Sequence, residues 1–420
     1  MSDHTTALVP LESWCYNSPE LRIQGKTIDV GLLCESLIYY DTVVVNITNQ
    51  PQLAELLSWF INQNKYDDFI ALVNYGIIKV YEYSFASMAI NNEGVYSLIN
   101  IQDSIQAKPN TFEQRFLYHN SVESVLKGSR KRKKLYKALR ENIIEVKADE
   151  FGAAIENARK DWECPHRNSL LVQAFVDELY RVKNIGRSPE ITSHVETTNN
   201  CERHHISYNV NFDELSNLAG EDLNFHNGTP LTASAISNRL IWSASELQCD
   251  LYLGRPLSIL VGDKLFESGR KIDKTHSIIE TLEEKVEFPD IRKLINDGSI
   301  GLDEVLFLRK KAKKFRDWLQ IEGEKDRDAI ISYHHEVAQE SGFTKTARNA
   351  ISIFGVIGGA GLGSAVGSVL SGPEGAAIGG ASGSAAGYVM DVASKLGSGW
   401  KPVVFGNWYR DRISKVLEKK

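Results

Sequence analysis

Residues 27–63 read TIDVGLLCESLIYYDTVVVNITNQPQLAELLSWFINQ, and this stretch decides how the first quarter of the chain is built. Thr27–Tyr40 spaces its apolar residues as a helix does, and Thr42–Ile47 is a β-branched run of the kind that forms a buried strand. Gln50–Gln63 is amphipathic at the helical period, with Pro51 in its first turn. Before this stretch, Leu21–Ile23 is expected to open a strand. After it, Tyr66–Tyr75 reads as a second helix ended by Gly76, and Ile77–Phe85 (IIKVYEYSF) as a strand with partial alternation. The βαβααβ order predicts a small α/β domain with at least one parallel pairing.

Further along, residues 111–183 read as mostly helical, with breaks near Gly128 and Pro165. Arg187–Thr198 is polar, contains Pro189 and shows no apolar period, so it is expected to be a loop or linker. Val210–Leu218 and Ala233–Glu246 are helix candidates, and Leu257–Gly262 (LSILVG) is a strand candidate. Ser277–Val286, Ile291–Asn296, Leu302–Ile321 and Asp326–Glu340 follow with helical period and Glu/Lys spacing. Asp290 is placed to cap the second of these, and Gly298 to stop it. The expected fold class is α+β and mostly helical. Its parts are a small α/β domain at 1–108, a mainly helical domain at 109–275, a helical segment at 276–344 and a glycine-rich helical hairpin at 345–420.

Composition bounds the function more loosely. The chain has 420 residues, 42% of them hydrophobic and 24% charged, which is ordinary for a globular protein. A net charge of −6 argues against a nucleic-acid footprint over the whole protein. Five scattered cysteines (Cys15, Cys34, Cys164, Cys201, Cys249) make no disulfide framework, which favours a reducing compartment. The opening MSDHTTALVPLESW lacks a basic n-region and an apolar core, so cytoplasmic synthesis without secretion is expected.

The one segment that points to a function lies near the C-terminus. Gly355, Gly359, Gly363 and Gly367 stand four residues apart, as do Gly375, Gly379, Gly383 and Gly387, with Ser371-Gly-Pro-Glu374 between the runs. From Asn349 to Met390 only Glu374 is charged. Residues four apart share a helix face, so each run makes a smooth glycine groove. In a bilayer helices associate by close backbone approach, which small residues at this spacing permit. Lys345 and Arg348 precede the hairpin and Lys395, Lys401, Arg410, Arg412 and Lys415 follow it, so both ends are expected to stay cytoplasmic. Trp400, Phe405, Trp408 and Tyr409 lie among the trailing basic residues as an interfacial anchor would. Arg348, Trp400, Lys401, Trp408, Tyr409 and Arg410 are the expected membrane-interface residues.

The first arm's large apolar residues supply roughly −3 to −5 kcal/mol on an insertion scale. Its glycines and serines offset much of this. The second arm, Gly375 to Met390, is shorter and milder, and Asp391 closes it. The hairpin therefore reads as a conditional membrane element that depends on arm pairing, oligomerisation or release from a resting state.

The paired GxxxGxxxGxxxG runs, Gly355 to Gly367 and Gly375 to Gly387, resemble the glycine-zipper hairpins of bacterial membrane and pore-forming proteins. The resemblance covers only this segment. It implies an oligomeric, membrane-disrupting protein of toxin or immune-effector type, with residues 1–345 as its regulatory body and an unidentified trigger. No cofactor is expected, and the chain reads as non-enzymatic. Two alternatives are a nuclease or hydrolase in the α/β region that uses the hairpin as anchor, and a soluble interaction protein with the hairpin in its core.

Other candidate chemistry is thinner. Cys164-Pro-His166 and Cys201-Glu-Arg-His204 contain four residues of zinc-ligating type, at no standard spacing. Asp29, Glu35, Asp41, Asp67 and Asp68 are the acids a magnesium-dependent nuclease would draw on, and helix caps and solvated surface explain them more simply. Ser129–Lys134 (SRKRKK) is a basic cluster suited to phosphate or anionic headgroups, or simply to a solvated helix face.

Overall fold

The computed structural model describes residues 5–13, 17–46, 50–82, 86–90, 95–100, 120–145, 152–197, 204–247, 249–254, 257–258, 260–261, 290–313, 316 and 412–418. They fall into two units, one of residues 7–30 and 42–262, the other of residues 1–6, 31–41 and 263–420.

The first unit is organised by a five-stranded parallel sheet. Its strands are β1 (Thr6–Pro10), β2 (Thr42–Asn46), β3 (Ile78–Glu82), β6 (Ile143–Glu145) and β9 (Asp250–Leu251), in the order β6-β3-β2-β1-β9. Val43 to Asn46 pair with Ile78 to Tyr81, and Val80 to Glu82 with Ile143 to Glu145. Ala7 and Leu8 pair with Asp250 and Leu251. Ala7–Val9 and Val43–Val45 are buried, as β-branched and small apolar strands are when both faces of a parallel sheet are covered. The chain adds strands outward from β1 to β6, then returns to lay β9 on the free edge of β1. The order therefore reverses at β1.

Helices α3 (Gln50–Asn62) and α4 (Tyr66–Asn74) carry the β2-to-β3 crossover, and Phe60 meets Phe69 at 4.7 Å between them. Gly76 ends α4 in the left-handed region at φ +67°, where a side chain would be strained. A second, antiparallel sheet runs β4-β5-β8-β7, with β4 Ala86–Ile90, β5 Val95–Asn100, β7 Ser193–Thr197 and β8 His204–Tyr208. Helices α5 (Asn120–Val125) and α6 (Ser129–Glu141) precede β6. Then come α7 (Gly152–Glu163), α8 (Pro165–Val182), α9 (Phe212–Ala219) and α10 (Thr229–Leu247). Trp162 of α7 lies in a core with Ile206, Leu231 and Ala235.

Four expectations change. Thr6–Pro10, unassigned by pattern, is a strand held between β2 and β9. Leu21–Ile23 belongs to a short helix, α1 (Pro19–Ile23), because Pro19 fits a first helical turn. Ser193–Thr197 inside the expected linker pairs along β8, so its polar residues sit on a solvated antiparallel strand. Leu257, Leu260 and Val261 are buried on helical turns, since their spacing of three and one suits one helix face better than alternation. The breaks at Gly128 and Pro165 fall where expected, before α6 and at the start of α8.

The second unit contains α2 (Val30–Tyr39), α11 (Ile291–Asn296) and α12 (Leu302–Lys311). Asp290 accepts from the Lys293 amide at 2.7 Å and caps α11 as its sequence position predicts. Gly31 lets α2 approach α11 closely: a Cβ there would stand 2.2 Å from the Arg292 carbonyl oxygen. The carbonyl end of α2 is capped by two arginines. Arg309 donates to the Leu37, Tyr40 and Asp41 carbonyls, and Arg316 to the Ile38 carbonyl at 3.0 Å and the Asp41 carboxylate at 2.8 Å. These are the orphan acceptors a helix end must satisfy, and positive charge suits its dipole. Burial, with Arg316 nearby, pulls the Arg309 guanidinium down to about 10. Replacing Arg309 with methionine is expected to cost about 3 kcal/mol, because charged hydrogen bonds are lost and carbonyls left unpaired. Urea denaturation checks this; an unchanged midpoint would contradict the capping role.

Residues 412–418 return to α12. Arg412 forms a two-pronged pair with Glu304 at 2.8 and 3.0 Å and lies 4.7 Å over the Phe307 ring, and Ile413 is buried. The eight zipper glycines and Arg348, Trp400, Lys401, Trp408, Tyr409 and Arg410 lie outside the described residues.

Candidate functional site

The reversal of strand order at β1 singles out the carboxyl ends of β1 and β9, since open parallel sheets bind ligands in the crevice at such a switch point. The backbone there is knotted together by buried polar side chains. Asn17 donates its amide to the Pro10 carbonyl at 3.0 Å and the Glu12 carbonyl at 2.8 Å, and its Oδ1 accepts from the Gly254 amide at 3.0 Å. One side chain thus joins the two strand ends. Ser18 donates to the Asp29 carboxylate at 2.8 Å, while the Asp29 amide donates to the Leu11 carbonyl at 2.7 Å. Glu12 bridges Ile28, and Ser13 bonds the Thr27 carbonyl at 3.0 Å. Glu12, Ser13, Asn17, Ser18 and Asp29 are all buried. Ser258, at 6% exposure, has a hydroxyl with no hydrogen-bond partner among the described residues.

Gly254 admits nothing larger than hydrogen, because a Cβ would lie 2.1 Å from the Asn17 carbonyl oxygen. The named groups are carboxylates, hydroxyls and amides. Buried and bonded to one another, they fix the two strand ends in place.

The zinc-type candidates do not come together. Cys164 and His166 are exposed at the start of α8, whereas His204 is buried with its ring edge-on to Trp162 at 6.1 Å. Cys201 lies outside the described residues, and among the described residues no three His, Cys, Asp or Glu gather as a metal site. Nearby, Asp161 accepts from Ser234 at 2.8 Å and Asn238 at 2.7 Å, with Arg167 at 3.9 Å; this polar knot ties α7 to α10. Of the acids considered for a nuclease, Asp29 bonds Ser18, Asp41 is held by Arg316, and Asp67 meets Lys134 at 2.6 Å on the surface.

The chain matches no family model, no curated protein and no solved structure. The site must be read from its own residues. Among the described residues no helix is long and apolar enough to cross a membrane.

Helix α6 carries the basic cluster. Leu135, Ala138 and Leu139 are buried, and the helix packs against α4. Tyr66 donates its hydroxyl to the Lys131 carbonyl at 2.7 Å, and Lys131 lies 5.6 Å over the Tyr66 ring. Burial, assisted by Asp67, pushes the Tyr66 phenol up to about 12. A raised phenol stabilises the fold below the ordinary tyrosine pKa, and the contribution fades as pH climbs from about 10 to about 12. In that window the unfolded chain loses its proton first. Stability should therefore fall between pH 10 and 12 more steeply in the native chain than in Tyr66→Phe, which denaturant melts at stepped pH will show. Equal slopes would place the Tyr66 hydroxyl in solvent.

Proposed function

We propose that this protein is a conditional membrane-active protein, in which the parallel-sheet unit and the helical unit form the regulatory body and residues 345–420 the membrane-directed hairpin. The observation that carries the reading is the double glycine register, two fourfold runs within a stretch whose one charge is Glu374, with basic residues on both outer flanks. Glycine costs about 1 kcal/mol relative to alanine in a helix, so eight in register need a compensating close contact. Antiparallel packing of the two arms, or of arms from several copies, supplies it in a bilayer. The zipper glycines hold the helices together, and Arg348, Trp400, Lys401, Trp408, Tyr409 and Arg410 set their depth at the cytoplasmic interface.

Nothing in this reading requires catalysis. The test is flotation of the full chain with lipid vesicles through a density gradient. Recovery with the lipid is expected, and a chain that stays in the dense fraction with every lipid composition refutes the proposal.

A further inference from the structure

Helix α6 divides its basic residues into two sets. Lys131 is committed to the Tyr66 ring, Arg132 to Glu123 at 3.1 Å and the Leu126 carbonyl at 2.8 Å, and Lys134 to Asp67 at 2.6 Å. Arg130, Lys133 and Lys137 are exposed and, among the described residues, pair with no carboxylate. Arg140, also exposed, lies 5.9 Å over its neighbour Tyr136 and completes the set.

Arg130, Lys133, Lys137 and Arg140 follow at spacings of three, four and three, which places them on one stripe about 80° wide and about 15 Å long. The stripe points directly away from Leu135, Ala138 and Leu139, the residues that seat the helix on α4. A cationic row on the outermost line of a firmly seated helix, in a chain of net charge −6, is a local feature the overall charge does not explain.

We infer that this stripe is a docking surface for the anionic headgroups of a lipid bilayer. A straight row of four cations on a convex line fits a plane of phosphates. It carries little for reading bases, since no Asn or Gln stands among the four and Tyr136, at the edge of the row, has its ring under Arg140. The choice of lipid over nucleic acid also rests on the membrane reading above. Because the row has no large apolar residue, it adsorbs by charge and does not insert. It therefore brings the body to the cytoplasmic face independently of the hairpin.

The test is cosedimentation of the full chain with vesicles of phosphatidylcholine alone and of phosphatidylcholine containing about one third phosphatidylglycerol, at about 0.1 M salt and again near 1 M. These are run for the native chain, for R130Q/K133Q/K137Q/R140Q, and for both in a G359L/G363L background. Each surface cation contributes about fivefold to binding, so the quadruple variant should lose two to three orders of magnitude of affinity for anionic vesicles. The loss should appear at low salt, vanish near 1 M, and persist in the leucine background.

Equal binding of the quadruple variant and the native chain to anionic vesicles at low salt overturns the inference, provided both share a thermal midpoint. So does a native chain that binds a short duplex DNA or RNA more tightly than the vesicles and loses that binding with the four glutamines. If only the leucine background changes binding, the hairpin reading stands and the stripe fails. If only the glutamines change it, the stripe stands and the hairpin reading fails.

Discussion

Gly254→Ala will unfold the switch-point seam, with a loss of at least about 3 kcal/mol, above the usual range for an overpacked core because the clash is with backbone. The added methyl would stand 2.1 Å from the Asn17 carbonyl oxygen and 3.1 Å from the Asn17 carbonyl carbon, so no side-chain rotation relieves it. The Gly254 amide would have to leave Asn17 Oδ1, and the same Asn17 side chain holds the Pro10 and Glu12 carbonyls at the end of β1. β9 is only Asp250–Leu251, so it has no further length along which to recover the pairing. Gly128→Ala is the matched control, because a Cβ there meets nothing within 4 Å. Chemical denaturation should show Gly254→Ala far below the native chain and Gly128→Ala beside it. A Gly254→Ala chain as stable as the control would mean that the two strand ends are not held as described.

Gly359→Leu with Gly363→Leu will reduce association with uncharged phosphatidylcholine vesicles at least about tenfold, through loss of the close helix approach that glycine permits. The sign of this effect is what makes it informative. Two leucines add apolar surface worth about −0.3 to −0.6 kcal/mol each on an insertion scale. Simple partitioning therefore predicts tighter binding for the double variant, whereas a glycine contact predicts weaker binding. The described body contains neither position, so its thermal transition should be unchanged. Single substitutions should show part of the effect, with Gly359 and Gly363 at the centre of the first groove mattering more than Gly355 at its end.

Much of the fold around residues 27–82 was legible, because α2, β2, α3 and α4 carry strong local periods and Gly76 marks a real stop. β1 was not. Thr6–Pro10 is five residues with no alternation, and its central place depends on pairing with a two-residue strand at Asp250–Leu251. Sequence patterns within a window carry no signal for a partner that distant. The switch point, being a product of that pairing, was invisible for the same reason. Asn17 stands just before Ser18 and Pro19 at the start of α1, and no local pattern marks it. Asp29 was noted as an acid, but its bond to Ser18 and its place at the strand mouth come from the fold. The basic cluster was visible as composition. Its division into committed and uncommitted cations required the positions of Tyr66, Asp67 and Glu123.

Arg412 follows the glycine segment in the sequence. Its pairing with Glu304 and its place over Phe307 seat residues 412–418 on α12, so the chain leaves α12 and comes back to it around the glycine segment.

The central claim is that the glycine registers, and not general apolarity, direct this protein to membranes. Flotation of the full native chain beside its Gly359→Leu/Gly363→Leu variant on uncharged phosphatidylcholine vesicles, which the cationic stripe does not bind, with dye release from the same vesicles, tests it most directly. The native chain is expected to float and release dye, while the variant remains folded, stays in the dense fraction and releases none. A variant that floats and permeabilises as well as the native chain would contradict it.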